Sequence, residues 1–113
     1  MQEPAPPEPE KPSYFQRYLD DCFERIRKTK LVNDVIILNR VGIPLRSTFT
    51  DQKVCIQQAG LYVGLFDRAC NLIRATDATD EFLLMSVKTR HNEATVSADP
   101  EHGLVFVVVQ QPE

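Results

Sequence analysis

The chain of 113 residues contains no tryptophan, four glycines, two histidines and three cysteines. Gly42, Gly60, Gly64 and Gly103 are the only glycines, so neither a phosphate-cradling loop nor a dinucleotide fingerprint is present. His91 and His102 lack neighbours at Cys/His or Glu/His ligand spacing, so no metal site is expected. An odd cysteine count without a Cys-x-x-Cys pair argues against a disulfide framework and fits a reducing compartment. Cys22, Cys55 and Cys70 fall at apolar helical positions, where cysteine acts as a small hydrophobe; no basic neighbour favours a thiolate. The carboxylates of Asp20/Asp21 and Asp80/Glu81 are adjacent in sequence and diverge, so solvation or capping explains them better than acid–base work. No apolar run approaches the roughly 18 residues of a membrane span, and no basic-then-apolar leader opens the chain. The expectation is therefore a non-enzymatic cytosolic protein without cofactor, metal or membrane contact. Nucleic acid is disfavoured too: the net charge is −3, and the first twelve residues carry most of it.

Those twelve residues, "MQEPAPPEPEKP", hold five of the eight prolines and no large apolar side chain. Such a segment cannot bury enough surface to offset its ordering entropy, and a disordered Pro/Glu-rich tail is expected, with one domain over 13–113. Ser13 and Gln16 have capping-box spacing, and Tyr14, Phe15, Tyr18, Leu19, Cys22, Phe23 and Ile26 recur at helical intervals. Asp20, Asp21 and Glu24 lie ahead of Arg25, Arg27, Lys28 and Lys30, the order that the helix dipole favours. Next comes Val35-Ile36-Ile37-Leu38, an uninterrupted apolar run that reads as a strand covered on both faces. Asn39 and Gly42 bracket a tight turn into a second strand, which Pro44 confines to a sheet edge.

From Asp51 to about Thr76 a second, longer helix is expected, with Thr50 or Asp51 as its N-cap. Val54, Leu61, Leu65 and Leu72 stack on one line of it, Cys55, Tyr62, Phe66, Ala69 and Ile73 beside them, and Ala59, Cys70, Val63 and Ile56 further round. The apolar arc covers roughly 220°, about twice the stripe that one packed face requires. Gly60 and Gly64 lie just beyond its far border, each costing about 1 kcal/mol relative to alanine in a helix. A second packing surface would account for them, because small residues let two backbones approach closely. Three antiparallel strands follow, "FLLMSVK", "EATVS" and "LVFVVVQ", the last again apolar throughout. Pairing the two doubly covered strands at the centre gives the order 2-1-5-4-3, an α+β fold with helices on the faces of one five-stranded sheet. The apolar third strand is left at an edge, open to another chain. Helix and strand point separately to self-association, with Ile56, Gly60, Val63, Gly64, Asp67, Leu83, Met85 and Val87 as the expected interface.

"VIILNRVGIPLRST" (35–48) resembles the hairpin signature of the roadblock family of dynein light chains. "QQAGL" (57–61), "KTRHNEATV" (88–96) and "VVVQQP" (107–112) are similar to the family as well, so the likeness spans 13–112. It implies a homodimer, or a heterodimer with a paralogous light chain, whose second helices pack antiparallel and whose sheets join into ten strands. It also implies a non-catalytic subunit that binds the dynein intermediate chain and supports assembly and cargo attachment, in the cytoplasm or in a ciliary or flagellar axoneme. Tyr14, Tyr18 and Arg25 of the first helix are the candidate partner contacts. Related domains serve as scaffolds or regulators of small GTPases, the alternative that the resemblance leaves open.

Overall fold

The computed structural model describes Pro4 and residues 13–111. The expected disordered tail, apart from Pro4, lies outside the described residues. Helix α1, Tyr14–Arg27, starts with the expected reciprocal cap: the Gln16 N–H donates to Ser13 Oγ (3.1 Å) and the Ser13 N–H to Gln16 Oε1 (3.0 Å). Strand β1, Val32–Asn39, turns back through Arg40–Gly42 into β2, Pro44–Ser47. Asn39 organises that turn, its Oδ1 accepting from the N–H groups of Val41 (3.1 Å) and Ile43 (2.9 Å). Gly42 closes the turn at φ +93°, a left-handed conformation that a side chain would strain.

Asp51 rather than Thr50 caps helix α2, Gln52–Thr76, accepting from the Lys53 N–H at 2.9 Å. Strand β3 covers Leu84–Lys88, two residues later than the sequence pattern suggests. Phe82 stays out of the ladder because its ring fills the core against Phe66, with centroids 5.0 Å apart. Strands β4 (Glu93–Asp99) and β5 (Leu104–Gln110) complete one antiparallel sheet in the expected order β2-β1-β5-β4-β3.

Val35, Ile36, Ile37 and Leu38 are essentially inaccessible to solvent, each contributing about 1.5–3 kcal/mol of burial. Alternation along the central strands divides them between two layers. Ile36, Leu38, Val96, Val105 and Val107 meet Cys55, Ala59 and Phe66 of α2. On the opposite face, Val35, Ile37 and Leu104 pack with Leu19, Phe23 and Ile26 of α1. Both helices make their closest backbone approaches to β1 and β2. On the α1 face the β5-β4-β3 half of the sheet is therefore more open, with Ser97, Phe106 and Val108 only half-buried, and β3 itself is exposed along most of its length.

Candidate functional site

Two surfaces of the single chain are apolar and uncovered. Along α2, Val54, Leu61, Leu65 and Leu72 are all exposed. The wheel places this line about 120° from the core-facing direction. Across the outward face lie Gly60, Gly64 and Asp67, with Ile56 beyond them, all exposed. A Cβ on either glycine would meet nothing within 4 Å, so packing within the chain does not require glycine there. The second uncovered surface is the free edge of β3, where Leu83, Leu84 and Val87 are exposed. Phe66 meets Phe82 just ahead of this strand, which brings the second half of α2 to the same edge.

The expected interface set therefore divides. Ile56, Gly60, Gly64, Asp67, Leu83 and Val87 face solvent. Val63 and Met85 are half-buried against the α2-side core; the Val63 methyl lies 3.7 Å from where a Cβ of Gly42 would stand. The leucine line was legible as a periodic row, but a helical wheel alone does not say which border of a wide apolar arc the sheet leaves bare.

A groove of about 290 Å³ runs between α1 and the sheet, lined by Cys22, Arg25, Ile26, Ser97, Phe106 and Val108. Its floor and wall are apolar, and Arg25, at the rim, has no ion pair among the described residues. Arg27 and Lys28, by contrast, both reach Glu24 (3.9 and 3.8 Å). Tyr14 is exposed at the start of the same helix. A larger groove, about 650 Å³, lies beside the second half of α2, with Phe66, Cys70 and Phe82 in its lining and Arg40, Arg74, Asp67 and Glu81 among its charged residues.

Tyr18, the third residue expected on the partner side, is half-buried and held by contacts within the chain. Its hydroxyl donates to Asp99 Oδ2 at 2.6 Å, and its ring stacks on His102 with centroids 3.9 Å apart and planes 17° from parallel. His102 Nδ1 lies 2.9 Å from the same carboxylate oxygen, and the His102 N–H donates to Asp99 Oδ1 at 3.3 Å. Burial pushes the Asp99 carboxyl up, but the hydrogen bonds from Tyr18 and His102 outweigh it and hold it below the usual carboxylate range. Hydrogen bonding to that carboxylate, with burial and the Cys22 thiol adding to it, pushes the Tyr18 hydroxyl well up. A phenol whose proton is held this firmly orients structure and is poorly suited to proton transfer. Sequence reading missed this cluster because Tyr18 and Asp99 are 81 positions apart. The one local signal is Asp99-x-x-His102 across the β4–β5 turn.

An antiparallel five-stranded sheet in this order, with one helix on each face and the long one partly bare, defines a Roadblock/LC7 fold. Structural comparison gives the same result. The chain is similar to the Roadblock/LC7 domain from Streptomyces avermitilis, with a TM-score of 0.71, 14% identity, and coverage of 80% of this chain and 75% of that one. It is also similar to Myxococcus xanthus MglB, with a TM-score of 0.63, 17% identity, and coverage of 77% and 70%. The gliding protein MglB from Thermus thermophilus matches with a TM-score of 0.65 and 16% identity over 97% of this chain and 81% of that one. No protein-family model matches the sequence.

Proposed function

We propose that this chain is a non-catalytic, self-associating adaptor, a light chain of a dynein microtubule motor acting in the cytoplasm or an axoneme. In this role it binds the dynein intermediate chain and supports complex assembly and cargo attachment. The carrying observation is the apolar leucine line of α2 left bare near an equally apolar, unpaired β3 edge. A two-fold axis normal to the sheet would join two β3 edges into a ten-stranded sheet and bring two α2 helices together on one face. The opposite face would then carry two α1 grooves flanking the joined edges. An amphipathic helix fits such a groove, its apolar side on Ile26, Phe106 and Val108 and an acidic group at Arg25. Sedimentation should give a dimer at micromolar concentration. A helical intermediate-chain segment should bind it by calorimetry, and Arg25→Glu should weaken that binding. A monomer, or a dimer indifferent to the segment, would refute the reading.

A second reading is a scaffold or regulator of small GTPases. It is favoured by the solved structures that share the fold, which include a bacterial gliding protein. Binding of a purified Ras-like GTPase, with no binding of the intermediate-chain segment, would select it.

A further inference from the structure

The Tyr18–Asp99–His102 cluster sits beside the α1 groove. Tyr18 lies one helical turn before Cys22 on the same flank of α1, and Asp99 lies two residues beyond Ser97 on the same face of β4. Cys22 and Ser97 are themselves opposite walls of the groove. One hydroxyl–carboxylate bond and one ring stack thus bridge the two walls, near the N-terminal end of α1 and at the C-terminal end of β4. Elsewhere, α1 is anchored toward the other edge of the sheet. Leu19, Phe23 and Ile26 pack on the β1 side, and Asp20 accepts from Arg46 Nε of β2 at 2.8 Å. Among the described residues, no other hydrogen bond or ion pair joins an α1 side chain to β4, β5 or the turn between them.

We propose that Tyr18, Asp99 and His102 form a latch that fixes the distance between α1 and β4 and so sets the opening of the groove. Closed, the latch keeps Cys22 and Ile26 facing Ser97 and Phe106 across the groove. Released, α1 pivots on its Leu19–Phe23 contacts and the groove widens. The inference deepens the adaptor reading by naming how its docking groove is controlled, and its test needs no partner. Tyr18, Asp99 and His102 are positioning residues in this scheme.

Cys22 reports on the groove, and Cys70, on α2 across the sheet, is an internal control. The full chain is labelled with a thiol reagent, and modification at each cysteine is followed by mass spectrometry. His102→Ala, which removes the stack and one bond to Asp99 without changing a Cys22 neighbour along the helix, is the principal variant. Tyr18→Phe, which keeps the ring and loses the hydroxyl bond, is the second. Cys22 should react about tenfold faster in either variant, the scale set by one hydrogen bond to a charged group, with Cys70 unchanged. Amide exchange should quicken in α1 and remain unchanged in α2. Unchanged Cys22 kinetics in both variants would overturn the latch, and so would a parallel rise at Cys22 and Cys70, which would mark general loosening. If Cys22 responds while the intermediate-chain segment fails to bind any form, the latch stands and the adaptor reading falls.

Discussion

Replacing Leu61 and Leu65 together by glutamine tests the contact surface of α2 without touching the core. The two side chains are 63% and 44% exposed in the single chain, so together they offer about one whole leucine for burial in a dimer. Removing it costs about 2 kcal/mol per protomer on the usual scale for apolar burial. A symmetric interface counts the change twice, which gives about 4 kcal/mol of lost association energy. At 1.4 kcal/mol per decade, the dimer dissociation constant should rise about a thousandfold. Glutamine is a good helix former, so helicity should be preserved and the loss should appear in association alone. Sedimentation velocity over a wide concentration range measures the constant, and far-UV circular dichroism confirms the folded monomer. A dissociation constant within threefold of wild type would exclude the leucine line from the contact.

Three further outcomes follow from the same geometry. Alanine at Gly60 and Gly64 meets open space in one chain. In the Leu61/Leu65 monomer background it should therefore raise stability by up to about 1 kcal/mol per site in urea unfolding. In the wild-type chain, if it forms the proposed dimer with the second helix approaching there, the same pair should give no gain or a loss, and an equal gain in both backgrounds would place the glycines outside the contact. Ile37→Ala removes a fully buried β1 side chain between the sheet and α1, and urea unfolding should show a loss of about 2–5 kcal/mol; a loss below about 1 kcal/mol would contradict the packing described. The third outcome concerns pH. The Asp99 carboxyl is held below its ordinary value, so its stabilisation is complete above about pH 4 and is lost as pH falls through the folded value. Tyr18 is raised, so its contribution is complete below about pH 10 and is lost only on stronger alkali. Asp99→Asn should flatten the acid limb of a stability–pH profile. An unchanged acid limb in Asp99→Asn would show that the carboxylate is not held as described.

The parts of this fold that the sequence expresses locally are those where one segment carries its own constraint. Ser13 and Gln16 cap each other across three residues, Asn39 closes its own turn, and Val35–Leu38 is apolar enough to demand cover on both faces. The strand order follows from those runs, because two doubly covered strands must lie inside the sheet. The position of Phe82 was not legible, since an aromatic residue before a strand reads as part of the strand. Only the ring of Phe66, sixteen residues away, draws it into the core. What covers Val63 and Met85 within the chain is illegible for a related reason: periodicity marks them as apolar but does not say which neighbour they meet.

Polar placement shows the same limit more sharply. Tyr18 reads as one more residue on an amphipathic helix, and His102 as a turn residue; nothing within ten positions of either announces the other. Their pairing is a property of topology. The α1 helix must lie across β1 and β2 to cover Val35 and Ile37, and the β4–β5 turn must stand beside β1 because β5 is central. Once both conditions hold, a tyrosine on the inner flank of α1 meets whatever the turn presents, here a carboxylate and an imidazole. The same two conditions leave β3 exposed along most of its length. The latch, the groove beside it and the bare edge thus share one origin, a sheet wider than the helices that cover it. Lengthening α1 by one turn at its C-terminus, which would leave the Tyr18 contacts in place, should therefore leave the β3 edge and the self-association proposed for it unchanged. Loss of the dimer on that extension would mean that the helix, and not the edge strand, governs assembly.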